Sequence, residues 1–221
     1  MADSTVFSPV QTPPWVRPDG VPETPGWLRE VEATAGWLSR DEALALHRYA
    51  SEVVSGAIVE VGSYRGRSTA ALSAGARAGV PVFAIEPHEA MSDESTGTFG
   101  PEDRAAFYRT MLRTGASRNV RLLNTSSEVL SPGWTAPVSL LFIDGLHDEP
   151  SVSRDWRAWR PHLVSGATVV FDDAHDPRVG PMHVIAQLVD EGTLVHRKNT
   201  GKMRALTYTG LGASPGSPSD G

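Results

Sequence analysis

The chain has 221 residues and no cysteine, which removes disulfides, thiolate zinc sites, iron–sulfur clusters and a cysteine nucleophile at once and fits a reducing compartment. It also has no Lys- or Arg-rich run. With 20 basic against 26 acidic side chains, a formal net charge of −6, it lacks the basic surface on which nucleic acids release their counterions. No stretch approaches the roughly 20 apolar residues that span a bilayer, and the N-terminus lacks the basic-then-apolar layout of a secretion signal. These absences lead us to expect a cytoplasmic protein with no nucleic-acid and no membrane partner. What is present, 40% hydrophobic and 21% charged residues, is an ordinary composition for a globular chain with one core.

The ends differ from the middle. Residues 1–25, with Pro9, Pro13, Pro14, Pro18, Pro22 and Pro25, read as a proline-rich arm, because proline lacks the backbone donor of helix or central strand. Residues 26–54 read as two cap helices. The first spans 26–34, with Thr24 as cap and Pro25 in its first turn. The second is opened by the S-x-x-E box of Ser39 and Glu42. From 55 to 210 apolar strands alternate with helical stretches: strands at 57–62, 82–85, 120–123, 138–143 and 168–171, helices at 67–78, 101–114, 150–163 and 180–191. A hairpin of 194–198 and 203–209 turning at Asn199-Thr200-Gly201 closes the run. The pattern predicts an α/β, Rossmann-like, doubly wound, mostly parallel seven-stranded sheet with an antiparallel C-terminal hairpin strand and helices on both faces. The segment 211–221 is small and polar and reads as a flexible tail.

In such sheets ligands sit at the strand ends. The first strand ends in Glu60-Val61-Gly62-Ser63-Tyr64-Arg65-Gly66-Arg67-Ser68. Gly62 permits a tight turn, and Gly66 lets a helix open close to a ligand with its free N–H groups facing it. Neither G-x-G-x-x-G nor G-K-[ST] is present, so a pyrophosphate cradle is disfavoured. A carboxylate leading the turn suits a cationic amine. Glu86 ends the next strand, where a carboxylate reaches both hydroxyls of a ribose; a solvated strand-end glutamate is the plainer reading. Together the two acids favour a nucleoside with an amino-acid portion, which describes S-adenosylmethionine.

Three further acids gather later. Asp144 ends LLFID, and Asp172 with Asp173 ends TVVFDD, on strands that the crossover rule makes neighbours about 4.8 Å apart. Crowded carboxylates repel, and protonation or a hard divalent cation relieves them. Magnesium or calcium suits oxygen ligands, whereas zinc prefers histidine or thiolate. The plainer reading has Asp172 capping the next helix and Asp144 bonding backbone amides.

Residues 57–173 resemble the class I S-adenosylmethionine-dependent methyltransferases, and FIDGLHDEPSVSRDWRAWRPHLVSGATVVFDDAH resembles the small-molecule O-methyltransferases with a D-G-x-H turn and a D-D pair. The resemblance implies that Glu60, Gly62 and Ser63 meet the methionine part, Glu86 the ribose, and Asn124, Thr125 and Ser126 the adenine end. Gly66, Ser68 and Asp144 complete the expected cofactor-binding set. By similarity to sugar O-methyltransferases of antibiotic pathways, Asp144, Asp172 and Asp173 would hold a magnesium ion that grips two neighbouring acceptor hydroxyls. Those enzymes carry an acidic base two residues past the first metal aspartate. Here that position is Leu146, which moves the catalytic base to His147, working with Asp144; a turn residue oriented by Asp148 is the alternative. His175 would be a second partner or a substrate contact.

The expected activity is methyl transfer to a hydroxyl of a small sugar or phenolic molecule. A metal-independent O- or N-methyltransferase and a non-catalytic cofactor-binding scaffold are the alternatives. Trp156 and Trp159 have core spacing. Trp15, Trp27 and Trp37 would roof the substrate or mediate a homodimer contact, and the polar loop 91–100 would act as a lid.

Overall fold

The structure, a computed structural model, describes residues 24–93 and 97–210. Most of the expected arm, Trp15, part of the lid loop and the tail lie outside these residues. Two helices come first, α1 (Gly26–Glu32) and α2 (Arg40–Glu52). The Ser39 box forms as read: the Ser39 N–H donates to Glu42 Oε2 at 2.8 Å and the Glu42 N–H to Ser39 Oγ at 3.4 Å. Thr24 does not cap α1. Pro25 holds the cap position, and the Thr24 hydroxyl instead accepts from Arg40 at 3.1 Å.

The strand–helix alternation follows: β1 (Ala57–Val61), α3 (Arg67–Gly75), β2 (Val82–Ile85), the small pair β3 (Met91–Asp93) and β4 (Gly97–Phe99), α4 (Pro101–Thr114), β5 (Val120–Leu123), α5 (Ser127–Leu130), β6 (Val138–Ile143), α6 (Glu149–Trp159), β7 (Leu163–Phe171), α7 (Gly180–Asp190), β8 (Leu194–Thr200) and β9 (Met203–Tyr208). α4 has Pro101 in its first turn and closes on left-handed Gly115. α6 is shorter than the sequence suggests and β7 longer: Arg160 keeps helical dihedrals and its N–H bonds the Trp156 carbonyl, but Pro161 supplies no N–H to continue the ladder, and the chain passes through a single 3-10 turn (Arg160–His162) into β7. The closing turn falls at Gly201-Lys202, one step later than expected, since Thr200 still pairs with Met203.

The seven-stranded sheet has the order β5-β2-β1-β6-β7-β9-β8, parallel from β5 to β7 and antiparallel for β9 and β8. The order reverses between β1 and β6, which opens a cleft beyond their C-terminal ends. Successive strand residues face opposite layers. Ile58, Leu140, Phe142 and Val170 pack with α1 to α4, and Val59, Leu141, Ile143 and Val169 with α6 and α7. Trp156 and Trp159 are core, as their spacing predicts. Among the described residues no helix is long and apolar enough to cross a membrane.

Candidate functional site

A cavity of about 1150 Å³ opens over the ends of β1, β2, β6 and β7, larger than the ~300–1,000 Å³ of a single drug-sized site. Gly62 forms its floor at φ +85°, and a Cβ there would overlap the carbonyl oxygen of Asp144 on the neighbouring strand. The glycine is thus demanded by the junction of β1 and β6 as well as by any ligand. Gly66, at φ +83°, is turned away from the cavity; a Cβ would meet Phe107 and Met111 of α4.

The carboxylate of Glu86 lines the cavity and is pinned by two backbone amides, Tyr64 N–H to Oε2 and His88 N–H to Oε1, both 3.1 Å. Each oxygen keeps a lone pair for a hydroxyl. Ser63 and Ser68 line the same wall, and the buried Ser63 Oγ has no partner among the described residues. Thr125 and Ser126 line the far end, whereas Asn124 stays outside the lining, its amide donating to the carbonyls of Glu86 and Pro87.

Glu60 is elsewhere. It shares the face of Ile58, fully buried behind Ser68, with Thr69 donating to its Oε2 and its Oε1 without a partner among the described residues. Burial pushes its carboxyl up to about 7 against the opposing hydrogen bonds of Ser68 and Thr69. It supports the turn from behind and does not line the cavity.

Asp144, His147, Asp172 and Asp173 meet at the other side. His147 Nδ1 lies 2.8 Å from Asp173 Oδ2, and Nε2 lies 3.7 Å from Asp144 Oδ1. Burial opposes the charge on His147, but the two carboxylates push it up to about 10. Asp144 is raised, chiefly by burial and then by Asp172. Asp173 is held well below the carboxylate range by its bond to His147. Asp148 does not orient His147. It caps α6 instead, accepting from the Ser151 N–H at 2.9 Å. His175 is exposed and off the cavity.

The cluster contains a residue the sequence reading passed over. The Lys202 ammonium bonds Asp172 Oδ2 and lies 3.2 Å from Asp173 Oδ1. The expected magnesium therefore does not fit these side chains as they stand, since an ammonium already occupies the space between the two aspartates. Among the described residues no group of three His, Cys, Asp or Glu side chains is arranged to hold a metal ion.

Three other features were not legible, apart from Trp37, which the sequence suggests as a roof or a dimer contact. Trp37, Tyr64 and Phe99 form an aromatic wall, with centroids 5.4 Å apart for Trp37–Tyr64 and 5.3 Å for Tyr64–Phe99. Asp155 lines the cavity with its carboxyl pushed up to about 6 by burial. Tyr64 and Asp173 are non-glycine residues at positive φ, +43° and +47°, backbone that costs free energy and concentrates at ligand sites. Trp27 is no roof; it stacks on His47 at 4.3 Å.

A model of the family described as "Methyltransferase domain" matches residues 59–174, a little over half the chain. The chain belongs to that family. Solved structures with the same fold include an O-methyltransferase from Bacillus cereus in complex with SAH, with TM-score 0.63, 17% identity, and 86% of this chain and 94% of that one covered. They also include the O-methyltransferase TomG from Streptomyces achromogenes, involved in tomaymycin synthesis and in complex with SAM, with TM-score 0.62, 17% identity, and 85% and 92% covered. A third is CalS11, a TDP-rhamnose 3'-O-methyltransferase of calicheamicin biosynthesis, with TM-score 0.57, 17% identity, and 77% and 81% covered. For this methyltransferase-domain protein the S-adenosylmethionine expected from the strand ends fits the residues present. Glu86 offers two oriented oxygens, Gly62 leaves its turn without a side chain, and the Ser63 hydroxyl has no partner among the described residues.

Proposed function

We propose that the protein transfers the methyl group of S-adenosylmethionine to a hydroxyl of a small molecule, a sugar or phenolic natural product. The observation that carries the reading is one cavity in which the amide-pinned carboxylate of Glu86 and the Asp144–His147–Asp173–Lys202 cluster face the same space. Membership of the methyltransferase-domain family and a fold shared with O-methyltransferases support it.

When bound, the cofactor supplies a methyl group already activated on a sulfonium. The protein's own work is placement and proton handling, and alignment alone is worth several kcal/mol. Glu86 holds the ribose diol, and Ser63 and the Gly62 turn hold the methionine end. Trp37, Tyr64 and Phe99 close off water on one side. His147 already carries its proton near neutral pH, so the base role expected of it passes to Asp144, whose carboxylate lines the cavity beside it, 3.7 Å from His147 Nε2.

Calorimetric titration with S-adenosylmethionine, followed by methyl transfer from the radiolabelled cofactor to a panel of glycosides and phenols, tests the reading. Binding and labelled ether product are expected. A folded protein that takes up no cofactor ends it.

A further inference from the structure

Lys202 sits on the turn between β8 and β9, and the fold fixes it from several directions. Its backbone N–H donates to Glu42 Oε1 at 2.8 Å, and its carbonyl accepts from the Ala174 N–H at 2.8 Å. Glu42 is itself buried, its other oxygen closing the capping box of α2, so the N-terminus of α2 anchors the turn. The ammonium then reaches Asp172, a side chain 3% exposed, and Asp173. It also lines the cavity. An ammonium has three donors; the two aspartates engage one each and leave one for the cavity.

Buried carboxylates this close need a counter-charge. A magnesium ion would need near-octahedral oxygen ligands at about 2.1 Å. Entering here, it would have to drive out a tethered cation whose place is set by four backbone and side-chain contacts.

We propose that Lys202 takes the place of a divalent cation in this carboxylate cluster and that its third N–H holds the acceptor oxygen during methyl transfer, so that the reaction needs no metal ion. The acceptor half of this inference rests on the methyl-transfer reading above; the cation half does not. In the step itself the oxygen–carbon bond forms as the carbon–sulfur bond breaks, the electron pair of the broken bond stays on sulfur, and the hydroxyl proton ends on Asp144. Lys202 stabilises the charge that develops on the acceptor oxygen, as preorganised donors do.

The test is Mn²⁺ titration followed by electron paramagnetic resonance, on the wild type, Asp172→Asn, Lys202→Met and the double variant. Methionine keeps an aliphatic stem and removes the charge. The wild type is expected to leave Mn²⁺ free into the millimolar range. Lys202→Met should bind it at least about tenfold more tightly, through carboxylates that have lost their counter-charge, and the double variant should lose that gain. Micromolar Mn²⁺ binding by the wild type that Asp172→Asn abolishes overturns the proposal. So does a folded Lys202→Met with no gain. Should Lys202→Met not fold, wild type against Asp172→Asn decides alone: Asp172-dependent binding refutes, its absence supports. Metal-free calorimetry with S-adenosylmethionine runs beside it. A wild type that binds no cofactor sinks the methyl-transfer reading and leaves the Mn²⁺ result standing.

Discussion

Replacing Glu60 by Gln isolates the cost of the carboxyl beneath the cofactor turn. Burial raises Glu60 from the model-peptide value of 4.5 to about 7, with the charge of Glu86 adding to the same direction. Below about pH 4.5 both folded and unfolded chains carry the proton and the group costs nothing. Between about 4.5 and 7 the unfolded chain gives up its proton while the folded one keeps it, so stability falls by about 1.4 kcal/mol per pH unit. Above pH 7 both states are ionised, and a loss of about 3 kcal/mol is complete, a large share of the ~5–15 kcal/mol that holds a domain together. Glutamine keeps an acceptor for Thr69 and has no proton to lose. Urea unfolding of wild type and Glu60→Gln from pH 5 to 8.5 measures the difference. The variant should exceed the wild type by less than about 1 kcal/mol near pH 5 and by about 3 kcal/mol at pH 8. Parallel curves across that range would falsify the assignment of Glu60 as a buried acid.

Glu86→Gln should weaken S-adenosylmethionine about 10- to 100-fold, the worth of hydrogen bonds to a charged group; calorimetry with unchanged affinity would place the ribose elsewhere. Gly62→Ala, at positive φ with its Cβ against the Asp144 backbone, should cost more than about 2 kcal/mol in urea unfolding, and a neutral result would mean that the β1–β6 junction yields freely. Trp37→Ala removes a cavity-lining side chain that is 58% exposed, so it should raise the KM for the acceptor while the cofactor Kd stays within about twofold; the reverse split would put the aromatic wall at the cofactor.

The strands were legible because β1, β2, β6 and the end of β7 are largely buried on both faces and read as mainly apolar runs, interrupted by Glu60, Ser139 and Thr168. The carboxylates at their ends were legible for the same reason, since a strand of known end places its last residue. What the expectation for Glu60 left out was direction. Glu60 and Ile58 share a face by the period of two, and that parity, which sequence alone contains, already turns the acid toward the α1–α4 layer and away from the cleft. Of the aromatic wall the sequence singles out only Trp37, as a roof or a dimer contact; its assembly with Tyr64 and Phe99 was out of reach, because the three come from separate loops and strands that only the tertiary fold brings together.

Lys202 belongs to a different case, in which the information lies in register. β9 runs antiparallel to β7 with Arg204 opposite Phe171. Past the end of the ladder the register shifts by one, the Ala174 N–H bonding the Lys202 carbonyl and not that of Gly201 where Asp173 takes a positive φ, and the Lys202 ammonium comes to lie beside Asp172 and Asp173. The hairpin turns back where β7 delivers its acids, so the ammonium arrives beside them without any motif in the chain around it. A slip of one residue would send the side chain to the opposite face of the sheet. Glu42 guards against that slip by holding the Lys202 N–H from α2, and Gly201 leaves the space for it to do so, because a Cβ there would overlap the Glu42 carboxylate. The cation of this cluster is therefore specified by a strand pairing and a helix cap some 160 residues apart in the chain, and it becomes readable from sequence only once the C-terminal hairpin has been paired to β7 in register.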